Sequence, residues 1–106
     1  MTADEVRAII AGEIGAASSL PNSHGIDLKR CLVIPRRVSC RNSFSVLNDG
    51  KPIPLWIVLE ERPGSPEGYL IVFDDRRRVF GLADWDGITP VFLGFYGTFL
   101  NALQGM

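Results

Sequence analysis

The chain has 106 residues, 46% hydrophobic and 22% charged, with a formal net charge of −1. That is one domain with enough apolar material for one core. The near-neutral balance excludes a global field toward nucleic acid or an acidic membrane.

The N-terminus, "MTADEVRAII", carries acids early and no basic segment ahead of an apolar block, so it does not read as a secretory signal. Thr2 to Ala17 reads as a helix. Val6, Ile9, Ile10 and Ile14 recur at helical spacing, and Thr2 with Glu5 has the spacing of a capping box. Gly12 and Gly15 weaken this helix by roughly 1 kcal/mol each relative to Ala, so it needs to dock on something. "SSLPNSHG", residues 18–25, reads as a polar connection.

The period then changes. "RVSCRNSFSV" is rich in β-branched and polar residues and reads as containing a strand, limited on one side by Pro35. "NDGKP", residues 48–52, is a turn signal. In "IPLWIVLEE" the run Leu55 to Leu59 is apolar on both faces, which predicts a central strand including Trp56 to Leu59 and covered twice. That double cover, with only two modest helices to supply it, predicts a homodimer. "RPGSPEG", residues 62–68, is a loop. "YLIVF", residues 69–73, and "RVFGLA", residues 78–83, are predicted to form a hairpin turning at Asp74 to Arg77. "DWDG", residues 84–87, reads as another turn, and "ITPVFLGF" as the last strand.

The closing stretch, "VFLGFYGTFLNALQGM", holds three glycines, Asn101 and Gln104 in its 16 residues. It cannot span a bilayer as one helix, which takes about 20 apolar residues. Tyr96, Phe99, Leu100 and Leu103 make a helical stripe, with Thr98 as its cap and Gly105 as its end. The predicted architecture is a single α+β domain over 1–106: an N-terminal helix, an antiparallel meander of four or five strands and a C-terminal helix.

Chemistry-bearing residues are sparse. Cys31 and Cys40 form no CxxC or Cys/His cluster, so no zinc site is expected, and two such thiols fit a reduced cytoplasmic protein. His24 is the sole histidine, and no spacing singles it out as a base for either cysteine. Asp74 and Asp75 precede Arg76, Arg77 and Arg78 in a hairpin tip, which reads as solvated charge. The three arginines beside two acids are a weak phosphate signal. No glycine-rich phosphate loop, GxSxG or HExxH is present, and no cofactor or metal is called for.

Trp85 is the exception, because a tryptophan in a turn between Asp84 and Asp86 offers a plausible anchor for a basic partner. Glu60 and Glu61 end one strand while Asp84 and Asp86 bracket a turn at the end of another. In an antiparallel sheet these acids would meet at one edge with Trp85 among them.

The order of "CRNS", "LWIVLEERP", "GYLIVFD", "FGLA" and "FLGFYGTFLNALQGM" resembles that in small uncharacterised bacterial domains. They are similar in style to the immunity proteins that accompany polymorphic toxins. The resemblance covers roughly residues 31–106 and implies no catalytic residue. Residues and resemblance together predict a non-enzymatic protein-binding module, an immunity protein masking a toxin as its specific form. Its partner would be another protein, with no nucleic acid or membrane involved. The alternative is a small enzyme or small-ligand-binding domain with a pocket between sheet and helix.

Overall fold

In the computed structural model the described residues are 1–15, 25–44 and 46–106. The expected connection at 18–25 lies, but for Gly25, outside them, as does His24. The elements are α1 (Ala3–Ile14), α2 (Leu28–Cys31), β1 (Leu32–Asn42), β2 (Ile53–Glu60), β3 (Tyr69–Asp74), β4 (Val79–Asp86), β5 (Thr89–Gly97) and α3 (Phe99–Gly105).

The capping box at α1 forms: the Thr2 hydroxyl accepts from the Glu5 amide at 3.2 Å, and the Glu5 carboxylate accepts from the Thr2 amide at 3.1 Å. Gly15, at φ 63°, ends the helix two residues before the predicted limit. Thr98 caps α3 through the Asn101 amide. The buried side of α3 is Phe99, Ala102 and Leu103; Tyr96 stays on β5 and is exposed.

The five strands run as an antiparallel meander, as expected, but the sheet closes into a barrel. An up-and-down chain of five strands leaves the first and last pointing the same way, so closure has to be parallel. It is made by Arg41 against Val91 and Asn42 against Phe92.

Closure sorts the strand residues by parity. Inside lie Cys40, Ile53, Leu55, Ile57, Leu70, Val72, Ala83 and Phe92. Outside, Trp56, Val58, Leu59, Ile71, Phe73, Phe80 and Leu82 pack under Val6 and Ile10 of α1, Leu28 and Cys31 of α2, and Phe99, Ala102 and Leu103 of α3. A bulge at Val58 shifts the register, so Val58 and Leu59 both join the outer layer. Each large side chain so buried contributes about 1.5–3 kcal/mol. Both faces of β2 are therefore covered within one chain, and the reason for expecting a homodimer is met without a second copy.

Two boundaries differ from expectation. Pro35 does not limit β1; it sits inside the strand where the register with β2 shifts between Leu32 and Arg36. An irregularity is where a residue with no N–H is tolerated in a sheet. Likewise β4 continues through the expected turn at 84–87. Asp84 pairs with Val91, Trp85 with Pro90 and Asp86 with Thr89, leaving a two-residue turn, Gly87–Ile88, with Gly87 at φ 63°.

At the β3–β4 hairpin tip Arg76, Arg77 and Arg78 are exposed, as expected, but the two acids are not solvated charge. Asp74 is 1% exposed and accepts from the Arg76 and Arg77 amides and the Arg77 guanidinium, at 2.9, 3.1 and 2.7 Å. Asp75 accepts from the Trp56 indole at 3.0 Å and from Arg37 at 2.9 Å, and Arg37 lies over the Trp56 ring. The indole hydrogen bond, then Arg37, hold the Asp75 carboxyl below its ordinary 3.8 against the opposing effect of burial. A depressed carboxyl stabilises the fold above its unfolded-state value, and that contribution is lost as pH falls through the folded-state value. Asp75→Asn is therefore expected to cost about 1–2 kcal/mol in urea unfolding at neutral pH. The gap to wild type should narrow in acid below 3.8. A gap of constant size would mean that the Asp75 charge plays no part.

Candidate functional site

At one end of the barrel a single row crosses the strands. The Glu61 amide donates to the Tyr69 carbonyl at 2.9 Å, Tyr69 pairs with Asp84, Asp84 with Val91, and Val91 with Arg41. The meander thus brings Glu61, Asp84, Trp85 and Asp86 to one end, with Glu60 one residue below.

Their environments separate them. Glu60 is buried and held by Arg36 at 2.9 Å, so it belongs to the β1–β2 wall rather than to a surface. The Glu61 carboxylate accepts from the Tyr69 amide at 2.9 Å, which closes the 62–68 loop. Gly68, at φ 82°, is required there: a Cβ would stand 2.9 Å from Glu61 Oε1 and 3.1 Å from its Cβ. Asp86 pairs with Arg41 at 2.6 Å, both more than half exposed, so the pair adds little stability. Asp84 is half-buried, and its carboxylate makes no hydrogen bond or ion pair among the described residues.

Trp85 is not a free anchor. It lies in β4, packs against the barrel interior, and has a buried Nε1 with no acceptor among the described residues. Its position still lines a cleft of about 350 Å³ with Pro66, Glu67, Gly68, Tyr69 and Asp84. Glu67 is largely exposed and only loosely paired with Arg62, at 3.7 Å. Two carboxylates beside Tyr69 and Trp85 suit a guanidinium or ammonium group, through charge-assisted hydrogen bonds and an aromatic face.

Sequence reasoning missed Ile88, which is 86% exposed at the adjoining hairpin tip. The available signal was a β-branched residue just after Gly87. It also missed Tyr69 and Glu67, which reach Asp84 only through strand pairing and the loop.

Elsewhere the chemistry is structural. Cys40 is fully buried, which pushes its thiol up to about 11. Burial also raises Cys31, whose Sγ lies 3.6 Å from the Glu61 carbonyl as a donor. Nucleophilic cysteines are lowered instead. Among the described residues no group of three or more His, Cys, Asp and Glu could hold a metal ion. A cleft of about 330 Å³ does lie between sheet and helices, lined by Ile9, Glu13, Phe73, Arg78 and Asn101 among others. There Glu13 is engaged as a cap on the Phe99 amide at 3.1 Å. No helix among the described residues is long and apolar enough to cross a membrane.

Comparison with protein families, curated proteins and solved structures finds no match to this chain.

Proposed function

We propose that this chain is a non-catalytic protein-binding module whose β4–β5 end docks on a basic partner. An immunity protein that masks a toxin in the cytoplasm is the specific form of this reading. The supporting observation is the Asp84 carboxylate, without a partner among the described residues, in an aromatic cleft, on the strand that leads to the hairpin turn bearing the exposed Ile88. A carboxylate without a partner and an exposed apolar side chain on one hairpin are what an electrostatically steered interface uses. The resemblance to immunity proteins rests on the sequence pattern alone.

The test starts from the coding neighbourhood. If a large multidomain toxin is encoded next door, its purified toxic domain is titrated with wild type, Ile88→Asp and Asp84→Asn. Ile88 is so exposed that its variant should unfold at the wild-type temperature. Binding should weaken by about 2 kcal/mol for Ile88→Asp and about 1 kcal/mol for Asp84→Asn. Trp85→Ala is the wrong variant, because removing its interior packing would destabilise the barrel. A neighbouring toxin that binds both variants as it binds wild type would sink this surface; one that binds none of the three would sink the immunity reading.

A further inference from the structure

At the opposite end of β4 the barrel has a seam. β1 ends at Asn42, opposite Phe92, while β5 runs on to Gly97 with no further β1 pairing. Residues beyond β1 take over this side. Asn42 ties them down, its amide donating to the Leu47 carbonyl at 2.6 Å and the Lys51 carbonyl at 3.1 Å, its Oδ1 accepting from the Phe44 amide at 2.9 Å. Between this segment and β5 lies a pocket of about 470 Å³, lined by Phe44, Val46, Leu47, Phe92, Phe95 and Arg77 among others. Phe92 stands edge-on to Phe44 at 5.9 Å and 4.6 Å from Phe95, ring centre to ring centre. Phe92 and Phe95 belong to the interior cluster, so the pocket floor is continuous with the barrel core.

The walls select a carbon skeleton, and the volume falls within the usual range for small ligands. The polar groups select its sign. Arg77 stacks over the Phe95 ring at 5.7 Å with its side chain 39% exposed. Its carboxylate partner, Asp74, is 1% exposed and already accepts three hydrogen bonds. The Asn48 amide is engaged with the Pro52 carbonyl at 2.9 Å. An entering molecule therefore meets guanidinium donors while the nearby carboxylate is hidden and saturated. An ammonium group meets a like charge and no carboxylate among the described lining residues; a carboxylate or sulfonate finds donors.

We infer that this seam pocket binds a small organic anion, with an aromatic or aliphatic body against Phe44, Phe92 and Phe95 and its acid group at Arg77. The site is independent of the partner-binding end. The probe is 8-anilinonaphthalene-1-sulfonate, followed by fluorescence on the full chain and displaced by octanoate or octylammonium. Saturable binding of one probe per chain is expected, with octylammonium roughly tenfold the weaker competitor despite the same tail. Val46 is 89% exposed, so Val46→Asp should keep the wild-type melting temperature. That variant should weaken the probe roughly tenfold by placing a like charge at the rim. Amide shifts on octanoate binding should centre on Phe92 to Phe95. Failure to saturate, equal displacement by both competitors, or unchanged binding by Val46→Asp each overturns the inference. So does light scattering that shows a dimer which Val46→Asp converts to monomer, because the pocket would then be closed by a second copy.

Discussion

Gly81→Ala is expected to lower the thermal midpoint by about 10–20 °C, corresponding to about 2–3 kcal/mol. Gly81 lies in mid β4, between Val72 of β3 and Phe95 of β5. A Cβ there would run into the Gly94 carbonyl oxygen and stand 3.2 Å from the Phe92 ring. The carbonyl is backbone and cannot yield unless the β4–β5 ladder opens. Phe92 is 1% exposed and has no room to retreat. The control is Gly12→Ala in α1, where a Cβ meets nothing within 4 Å. That change should stabilise by about 0.5–1 kcal/mol through helix propensity. Differential scanning calorimetry on both variants checks the pair, and similar midpoints would show that β4 and β5 do not approach this closely.

Phe99→Ala should cost about 3–5 kcal/mol, a large part of the about 5–15 kcal/mol that holds a domain together. Phe99 is fully buried and stands edge-on to Phe80 with ring centres 5.7 Å apart. Its amide is capped by Glu13, so one residue joins α3 to the barrel wall and to α1. Truncation leaves a cavity between three elements that cannot all move inward. Urea unfolding measures the loss. A loss under roughly 1 kcal/mol would mean that α3 is an accessory rather than the cover of the outer layer.

What could be read in advance was local. Thr2 with Glu5, Thr98, the Asn48–Gly50 turn and the doubly apolar run in β2 each carry their own short-range physics, and each forms as expected. Closure is different. It depends on stagger and on bulges, which no short window displays. Two of these lie in β5, where Leu93 and Tyr96 are extra residues relative to β4. The acids at 84 and 86 made "DWDG" resemble a turn, because Asp and Gly dominate turns. The winning force was the packing of Trp85, itself partly buried, against the barrel interior, and the strand runs on for three more residues. Parity offered a clue. With Ala83 facing inward, alternation places Trp85 inward and Asp84 outward, although both still line the cleft beside Tyr69. Asp75 was misjudged because its partners, Arg37 and Trp56, are remote in sequence, and Asp74 because the turn folds Arg76 and Arg77 back onto it.

The parallel contact between β1 and β5, two residue pairs long, gives the cylinder a preferred line of rupture. Parting there breaks a short slanted ladder and leaves four antiparallel ladders and the helical cover in place. The easiest opening of the barrel wall is then an unrolling, in which the tube becomes an open curved sheet while its order of neighbours is preserved. Interior residues such as Phe92 and Cys40 would meet water in that excursion long before the chain as a whole lets go.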